Sequence, residues 1–515
     1  MAGVWEAILG QPPDRTSDFF LSGGDSLLAA KVTERLKSVL GVRLTLDLLF
    51  DHRRLTDYVA AIEAHRRENE GIGGDTLTPV PRDGDLPLSA LQQNRLLREA
   101  RNLREGRKAP SFVVPVAVEV AAPLDDADLT GALHRVVKAH EALRTGFRLD
   151  VSAGTATPII VEDITLDVAV HDLGDCPVGD RTVLLRQIQS ELLREPLPRD
   201  APPLLRAAIA RFTRTNAVLL LAVDHLVFDG WSAEVLLSAL AEDLSGRHAQ
   251  PSALQFIDWV AWQRRQLSGA RWEQQLAYWR SKLAGTQPFP PLSLPAPAAS
   301  VGSHRCCEAA VSIDGTTEAG LRKVARDAGA TMFMTVLTAV AAAWQRASGD
   351  ADVVVHSPTA NRTGVDVEQM IGWFAHSIVL RLRPDVGAPG RSRLVQVRQQ
   401  VLEALLHQDI PLPMLVKALQ PDSFGRAARP ARLFYAYEPY DDAQWSVPGG
   451  WLRRLQFDEV DSFAEPGLSF FVRQNGGGGL TVRIVFNQTA VDPGFVDSLA
   501  QGIAAELDEL ALEGQ

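Results

Sequence analysis

The stretch "VDHLVFDGWS" (residues 223–232) sets a histidine between two aspartates, directly after the apolar run "AVLLLA". The run reads as a buried strand, so His225 stands where a strand ends. An imidazole there can act as a general base near neutral pH, and Asp224 and Asp229 could orient it or balance its charge. The same pattern suits a satisfied core histidine, so this stretch alone leaves both roles open. Successive strand residues face opposite sides, so with strand geometry through 225, Asp224 and His225 cannot face one cavity. Asp229 and Gly230 then turn the chain into the helix "SAEVLLSALAEDL", with Ser232 the expected N-cap. A buried carboxylate needs a cation, and Arg362 of "TANRTG" and Arg144 of "HEALRTGF" are the candidates for Asp229. Asp224 also needs a partner, which the sequence does not identify.

A second chemical position is Ser26 in "DFFLSGGDSLLAAKV", placed after Gly23, Gly24 and Asp25 at the start of an amphipathic helix. Read alone, Ser26 or Asp25 is a helix N-cap that the glycines permit. The free N–H groups of a helix start equally favour an attached anion.

These positions need scaffolds. A chain of 515 residues exceeds one core and implies two to four domains. Residues 1–68 read as a bundle of about four helices, with Leu28, Val32, Leu36 and Leu40 on one face and Thr56 capping the last helix. Residues 69–86, polar and rich in glycine and proline, read as a linker. Residues 87–265 and 266–515 repeat one order of strand and helix patterns, which implies two α/β lobes with a crevice between them. A net charge of −11 argues against nucleic acid as a partner. No run of about 18 apolar residues suggests a membrane span, and the N-terminus lacks a signal-peptide pattern, so the expected location is the cytoplasm. Cys176, Cys306 and Cys307 lack metal-ligand spacing and read as structural thiols, with no metal expected.

The first unit resembles the peptidyl carrier domains of nonribosomal peptide synthetases, through "DFFLSGGDSLLA" and "LLFDHRRLTDYVAAI". The remainder resembles their condensation domains, which have a two-lobed chloramphenicol acetyltransferase-like α/β fold. The matching segments stand in family order: "LPLSALQQNRLL" (86–97), with Asn94 where the motif usually has Arg; "HEALRTGF"; "VDHLVFDGWS", with Asp224 in the first His place; "FIDWVAWQ"; "YWRSKLAG"; "IGWFAHSIVLRL", with His376 where Asn is usual; and "HQDIPL". "RAARPARLFYAYEP" fits poorly.

The resemblance implies that Ser26 carries covalent 4′-phosphopantetheine, installed by a phosphopantetheinyl transferase. The chain would then form an amide between the aminoacyl or peptidyl donor on Ser26 and an aminoacyl group on a downstream acceptor carrier, with adenylation domains as further partners. His225 and Asp229 would be the catalytic pair, supported by Gly230, Asp224, Arg144 and Arg362. The expected state is monomeric. Heterocyclisation remains an alternative, because Asp224, Asp229 and Ser232 satisfy D-x-x-x-x-D-x-x-S. Epimerisation and a non-catalytic, partner-recruiting module are the others. Treatment with a phosphopantetheinyl transferase and coenzyme A should raise the intact mass by one arm, and S26A should abolish the gain.

Overall fold

A computed structural model describes residues 1–24, 28–29, 32–33, 35–36, 40, 44, 46–68, 77–107, 112–248, 250–289, 292, 306–362, 365–423, 432–438, 443–455, 467–475, 477–488 and 491–514. In the N-terminal unit, helices Ala2–Leu9, Leu46–Asp51 and Leu55–Glu68 accompany helical residues at 28, 29, 32, 33, 35, 36 and 40. Trp5, Phe19, Val32, Leu36 and Tyr58 are fully buried, and the Trp5 and Phe19 rings meet edge to face at 5.1 Å. Aromatic packing of this kind compensates for a small core. The last helix begins at Leu55, so Thr56 lies inside its first turn, where its hydroxyl faces Asp57, instead of capping it. The unit rests on the C-terminal lobe. Arg398 Nη2 donates to Asp51 Oδ1 at 2.8 Å, and Arg53 Nη1 donates to the Arg326 carbonyl at 2.8 Å.

Part of the segment read as linker is a strap on the N-terminal lobe. Arg82 donates through both Nη atoms to Asp258, at 2.7 and 2.9 Å, and through Nε to Glu141 at 3.0 Å. Val80 N also donates to Asp258 Oδ1 at 2.7 Å. Asp258 is wholly buried, so the strap brings the cation that its carboxylate needs. A polar composition that suggests a spacer here reflects ion-pair chemistry.

The N-terminal lobe is built on a sheet of strands β1 (Val113–Ala121), β4 (Val168–Asp172), β5 (Leu205–Thr213), β6 (Asn216–Asp224), β11 (Gln444–Val447) and β12 (Gly450–Leu455). Their order is β11-β12-β1-β6-β5-β4, antiparallel except for the parallel β4–β5 pair. β2 (Thr145–Asp150) and β3 (Thr155–Ile160) form a separate hairpin. The central strand β6 is covered on both faces, which explains its unbroken apolar run. Leu219 and Leu221 pack with Leu129 and Leu133 of the helix Asp126–Ala139, whereas Val218 and Leu220 pack with Leu185 and Ile188 of the helix Arg181–Arg194.

The C-terminal lobe holds β7 (Cys306–Ile313), β8 (Val353–Thr359), β9 (His376–Leu382), β10 (Arg432–Glu438), β13 (Gly467–Gln474) and β14 (Leu480–Asn487), in the order β7-β14-β13-β10-β8-β9. Its central helix, Met332–Ser348, is buried on nearly every side. β10, inside the poorly matching late segment, is the strand between β8 and β13 and pairs parallel with both. Cys176 and Cys307 are free thiols.

The spatial lobes do not divide cleanly at residue 266. The β11–β12 hairpin crosses over and closes the edge of β1, with Ala117 opposite Leu455. An uncovered β1 edge would expose unpaired backbone groups, and the hairpin removes that liability. Val367, Met370, Ile371 and Phe374 likewise enter the N-terminal core. Among the described residues no single helix is long and apolar enough to cross a membrane.

The strap yields a prediction. Arg82→Met strands the Asp258 carboxylate and should lower unfolding stability by about 2–4 kcal/mol in urea titrations. The Asp258 pKa lies below its ordinary value because bonds from Arg82, Val80 and Gln255 outweigh the opposing effect of burial. The wild-type advantage is therefore complete above the ordinary aspartate range, and it is lost as pH falls through the depressed folded value.

Candidate functional site

β6 ends at Asp224, and His225 opens the turn that follows, with its N–H donating to the Phe112 carbonyl at 2.8 Å. Strand geometry does not extend through 225, yet the two side chains still part company at the turn. Asp224 points into the lobe and is completely buried, whereas His225 keeps partial exposure.

Asp224 finds partners that the sequence did not identify. Its Oδ1 lies 3.1 Å from Arg95 Nη1 and accepts the Leu226 N–H at 2.8 Å, and Oδ2 contacts Arg199 Nη1. Arg199 Nε in turn reaches Glu99 at 3.1 Å. Four charges, two of each sign, thus sit behind the histidine turn, with Arg95, Glu99 and Asp224 buried and Arg199 part-buried. Arg95 and Arg199 escaped the sequence reading because ion-pair partners on distant elements leave no periodic mark.

Asp229 meets one of its two candidate arginines. Arg362 Nη2 donates to Asp229 Oδ1 at 3.1 Å, and both side chains are about 1% exposed. Arg362 Nη1 also donates to the carbonyls of Val367 and Met370 at 2.8 and 2.5 Å. The guanidinium lies 4.0 Å from the Phe374 ring centroid. Asp229, not Ser232, is the N-cap of the helix Gly230–Leu244, because its Oδ1 accepts the Ser232 N–H at 2.8 Å. The Ser232 hydroxyl lies 2.7 Å from Asp229 Oδ1 and 3.0 Å from the Gly372 carbonyl. Asp229 Oδ2 accepts the Phe374 and Ala375 N–H groups at 3.0 and 3.1 Å. With both oxygens occupied, Asp229 is held as a positioning group at the helix start, in keeping with a buried carboxylate that needs an arginine partner.

Arg144 is not part of this arrangement. Its Nε donates to the Lys138 carbonyl at 3.0 Å and its Nη1 to that of Val161, so it satisfies carbonyls around the end of the helix Asp126–Ala139. Gly230 opens its helix exposed, and a Cβ there would meet nothing within 4 Å.

Arg362 with the segment 365–376 therefore forms a clasp on the N-terminal lobe at the histidine turn. It delivers Trp373, whose ring centroid lies 4.8 Å from that of His225 at an interplanar angle of 43°. Gly372 allows the approach, since a Cβ there would fall 2.2 Å from Phe256 Cδ2. The His225 ring is enclosed on most sides, and its Nδ1 has no hydrogen-bond partner among the described residues. Burial pushes its pKa below the usual imidazole value, the Arg95 charge adds to this, and Asp229 opposes it. The imidazole is neutral at pH 7. His376 is buried at the start of β9, with Nδ1 3.1 Å from the Ser377 carbonyl.

"YWRSKLAG" and "HQDIPL" meet each other instead of the site. Tyr278 stacks on His407 with ring centroids 3.6 Å apart, and Trp279 Nε1 donates to the His407 carbonyl at 3.1 Å.

Ser26 lies outside the described residues. The loop leading to it is tight. Gly23 has φ 94°, and a Cβ on Gly24 would fall 2.3 Å from Phe19 Cε1, just before helical residues 28 and 29. A glycine turn a few residues ahead of helical positions suits a phosphodiester-bearing segment.

Residues 83–441 match the condensation domain family, and residues 1–62 match the phosphopantetheine attachment site family. The chain is 33% identical over 427 residues to a component of the linear gramicidin synthase of Brevibacillus parabrevis, covering 82% of this chain and 5% of that protein. It is 29% identical over 486 residues to malpinin synthetase of Mortierella alpina, covering 93% of this chain and 6% of that protein. It thus spans only a small part of either relative. Among solved structures it is similar to the X-domain in the complex of the X-domain and OxyB from teicoplanin biosynthesis. That match has a TM-score of 0.68 and 25% identity, and covers 86% of this chain and 96% of the other. It shares its fold with the condensation domain of the monacolin K polyketide synthase MokA, with a TM-score of 0.69 at 19% identity over 83% of this chain and 97% of the other.

Removing the carboxylate that holds the clasp should be severe. Asp229→Ala leaves Arg362 buried without a counter-charge and should cost about 3–5 kcal/mol in denaturant unfolding. Asp229→Asn should cost less, because its side-chain oxygen can still accept one of the N–H groups.

Proposed function

This chain belongs to the condensation-domain family of nonribosomal peptide synthetases, preceded by a phosphopantetheine-attachment unit, and on that premise we propose a specific peptide-bond-forming reaction. The donor is an aminoacyl or peptidyl group on Ser26, and the acceptor is the amine of an aminoacyl group on a downstream carrier. When bound, the 4′-phosphopantetheine arm supplies the donor as an activated thioester on a long tether. The observation that carries this reading is a neutral, partly exposed His225 held at the end of β6 beside the clasp between the lobes.

In this reaction His225 accepts a proton from the attacking amine, or hydrogen-bonds to it, as the C–N bond forms and the C–S bond breaks. Such general-base help typically contributes 10²–10⁴-fold. Holding the two reactants in line can contribute up to about 7–11 kcal/mol, so positioning is the larger effect. Asp229 and Arg362 serve positioning by fixing the helix start and Trp373 around the ring. Heterocyclisation stays as an alternative, carried by the D-x-x-x-x-D-x-x-S pattern of Asp224, Asp229 and Ser232. The X-domain likeness favours one second reading, a module that binds a partner enzyme and forms no bond.

Single-turnover assays with loaded donor and acceptor carriers test the first reading. Amide product is expected, and His225→Ala should slow its formation at least about tenfold without altering the circular dichroism spectrum. Absence of product from the wild-type chain would favour the second reading. Because the folded His225 pKa is depressed below 6.5, histidine protonation should slow the reaction only below that pH. The acceptor amine, with a free pKa of about 7.7–8.0, should govern the rise towards alkaline pH.

A further inference from the structure

Arg95, beside the first motif's departure, and Asp224, the third motif's, lie far apart in sequence and meet in the fold. Asn94 stands where the first motif usually has arginine, with Arg95 one place later, and Asp224 stands where the third usually has its first histidine. Arg95 Nη1 is 3.1 Å from Asp224 Oδ1. We propose that Arg95 is a positioning residue for His225, with Asp224 as its counter-ion.

The geometry brackets the histidine. Arg95 Nη2 and the backbone N–H of His225 donate to the same acceptor, the Phe112 carbonyl, at 3.4 and 2.8 Å, so the guanidinium lies beside the backbone that carries the imidazole. The guanidinium also lies 4.9 Å from the Phe112 ring centroid, and Arg95 is 8% exposed. On the far side of His225, Asp224 accepts the Leu226 N–H. One ion pair therefore holds the backbone before and after the ring. It also places a cation where it opposes protonation of the imidazole, as a proton acceptor requires.

The other charged groups around the ring are balanced. Asp229, at the N-terminus of the helix Gly230–Leu244, is matched by Arg362. Asp224 is shared with Arg199, which Glu99 balances in turn. Trp373 brings no charge from the clasp. Removing one member of the quartet unbalances it. Arg95→Met leaves a net negative charge beside His225, and Asp224→Asn leaves a net positive one. Asp224→His, which restores the motif, removes the same carboxylate and is expected to impair the site.

The test is an NMR titration of histidine-labelled full chain, with the His225 ring signal assigned by its loss in His225→Ala. Relative to wild type, the ring pKa should rise by about half a pH unit or more in R95M, fall in D224N, and stay close in R95K. An unchanged His225 titration in folded R95M or D224N would overturn the proposal. Loss of folded structure in all three variants would assign the quartet to stability alone and would also overturn it. In condensation assays, D224H should be slower than wild type, and a D224H chain as fast as wild type would count against the pair. The proposal rests on reading His225 as the proton acceptor, but the titration needs no turnover. Shifted titrations in R95M and D224N alongside a wild-type chain that forms no amide would overturn the reaction and leave the ion pair's role intact.

Discussion

The buried pair of Asp229 and Arg362 is the constraint on which the rest of the site depends. Each partner comes from a different lobe, and each is satisfied by further bonds, the carboxylate by backbone N–H groups and the guanidinium by carbonyls. Such a pair contributes little net stability, because desolvation offsets most of its attraction. Its value lies in specificity: any other seating of Arg362 and the segment 365–376 would leave a charge stranded in the interior. The position of Trp373 on His225 and the glycine contact at Phe256 both follow from that seating.

Behind the histidine turn lies a second charged cluster, and the two clusters do different work. The clasp joins the lobes and faces the helix start. The quartet of Glu99, Arg95, Asp224 and Arg199 lies within the N-terminal lobe and pins the strand end. Between them stands one uncharged ring in a region of low polarisability, where each nearby charge acts more strongly than it would in water.

Local order was the most legible level of the sequence. The burial of β6, the helix after Gly230 and the apolar face of the first unit, with Val32 and Leu36 buried, all follow from periodicity and turn residues. Arg362 was a candidate for Asp229 because a buried carboxylate demands a cation. The same argument could not choose between Arg362 and Arg144, since the choice depends on which elements the fold brings together. Arg95, Arg199 and Trp373 were missed for that reason. The exchange of the β11–β12 hairpin into the other lobe was also hidden, because edge pairing over more than 300 residues leaves no local signature.

The strap at Arg82 has a consequence for reach. With the chain stapled to the lobe from Leu77 onward, only residues 69–76 separate the last helix of the first unit from a fixed point. Whatever path those residues take, their covalent contour cannot exceed roughly 30 Å. The first unit is thus kept on a short leash, and its local concentration at the lobes falls in the millimolar range typical of short tethers, well above what an untethered partner would reach.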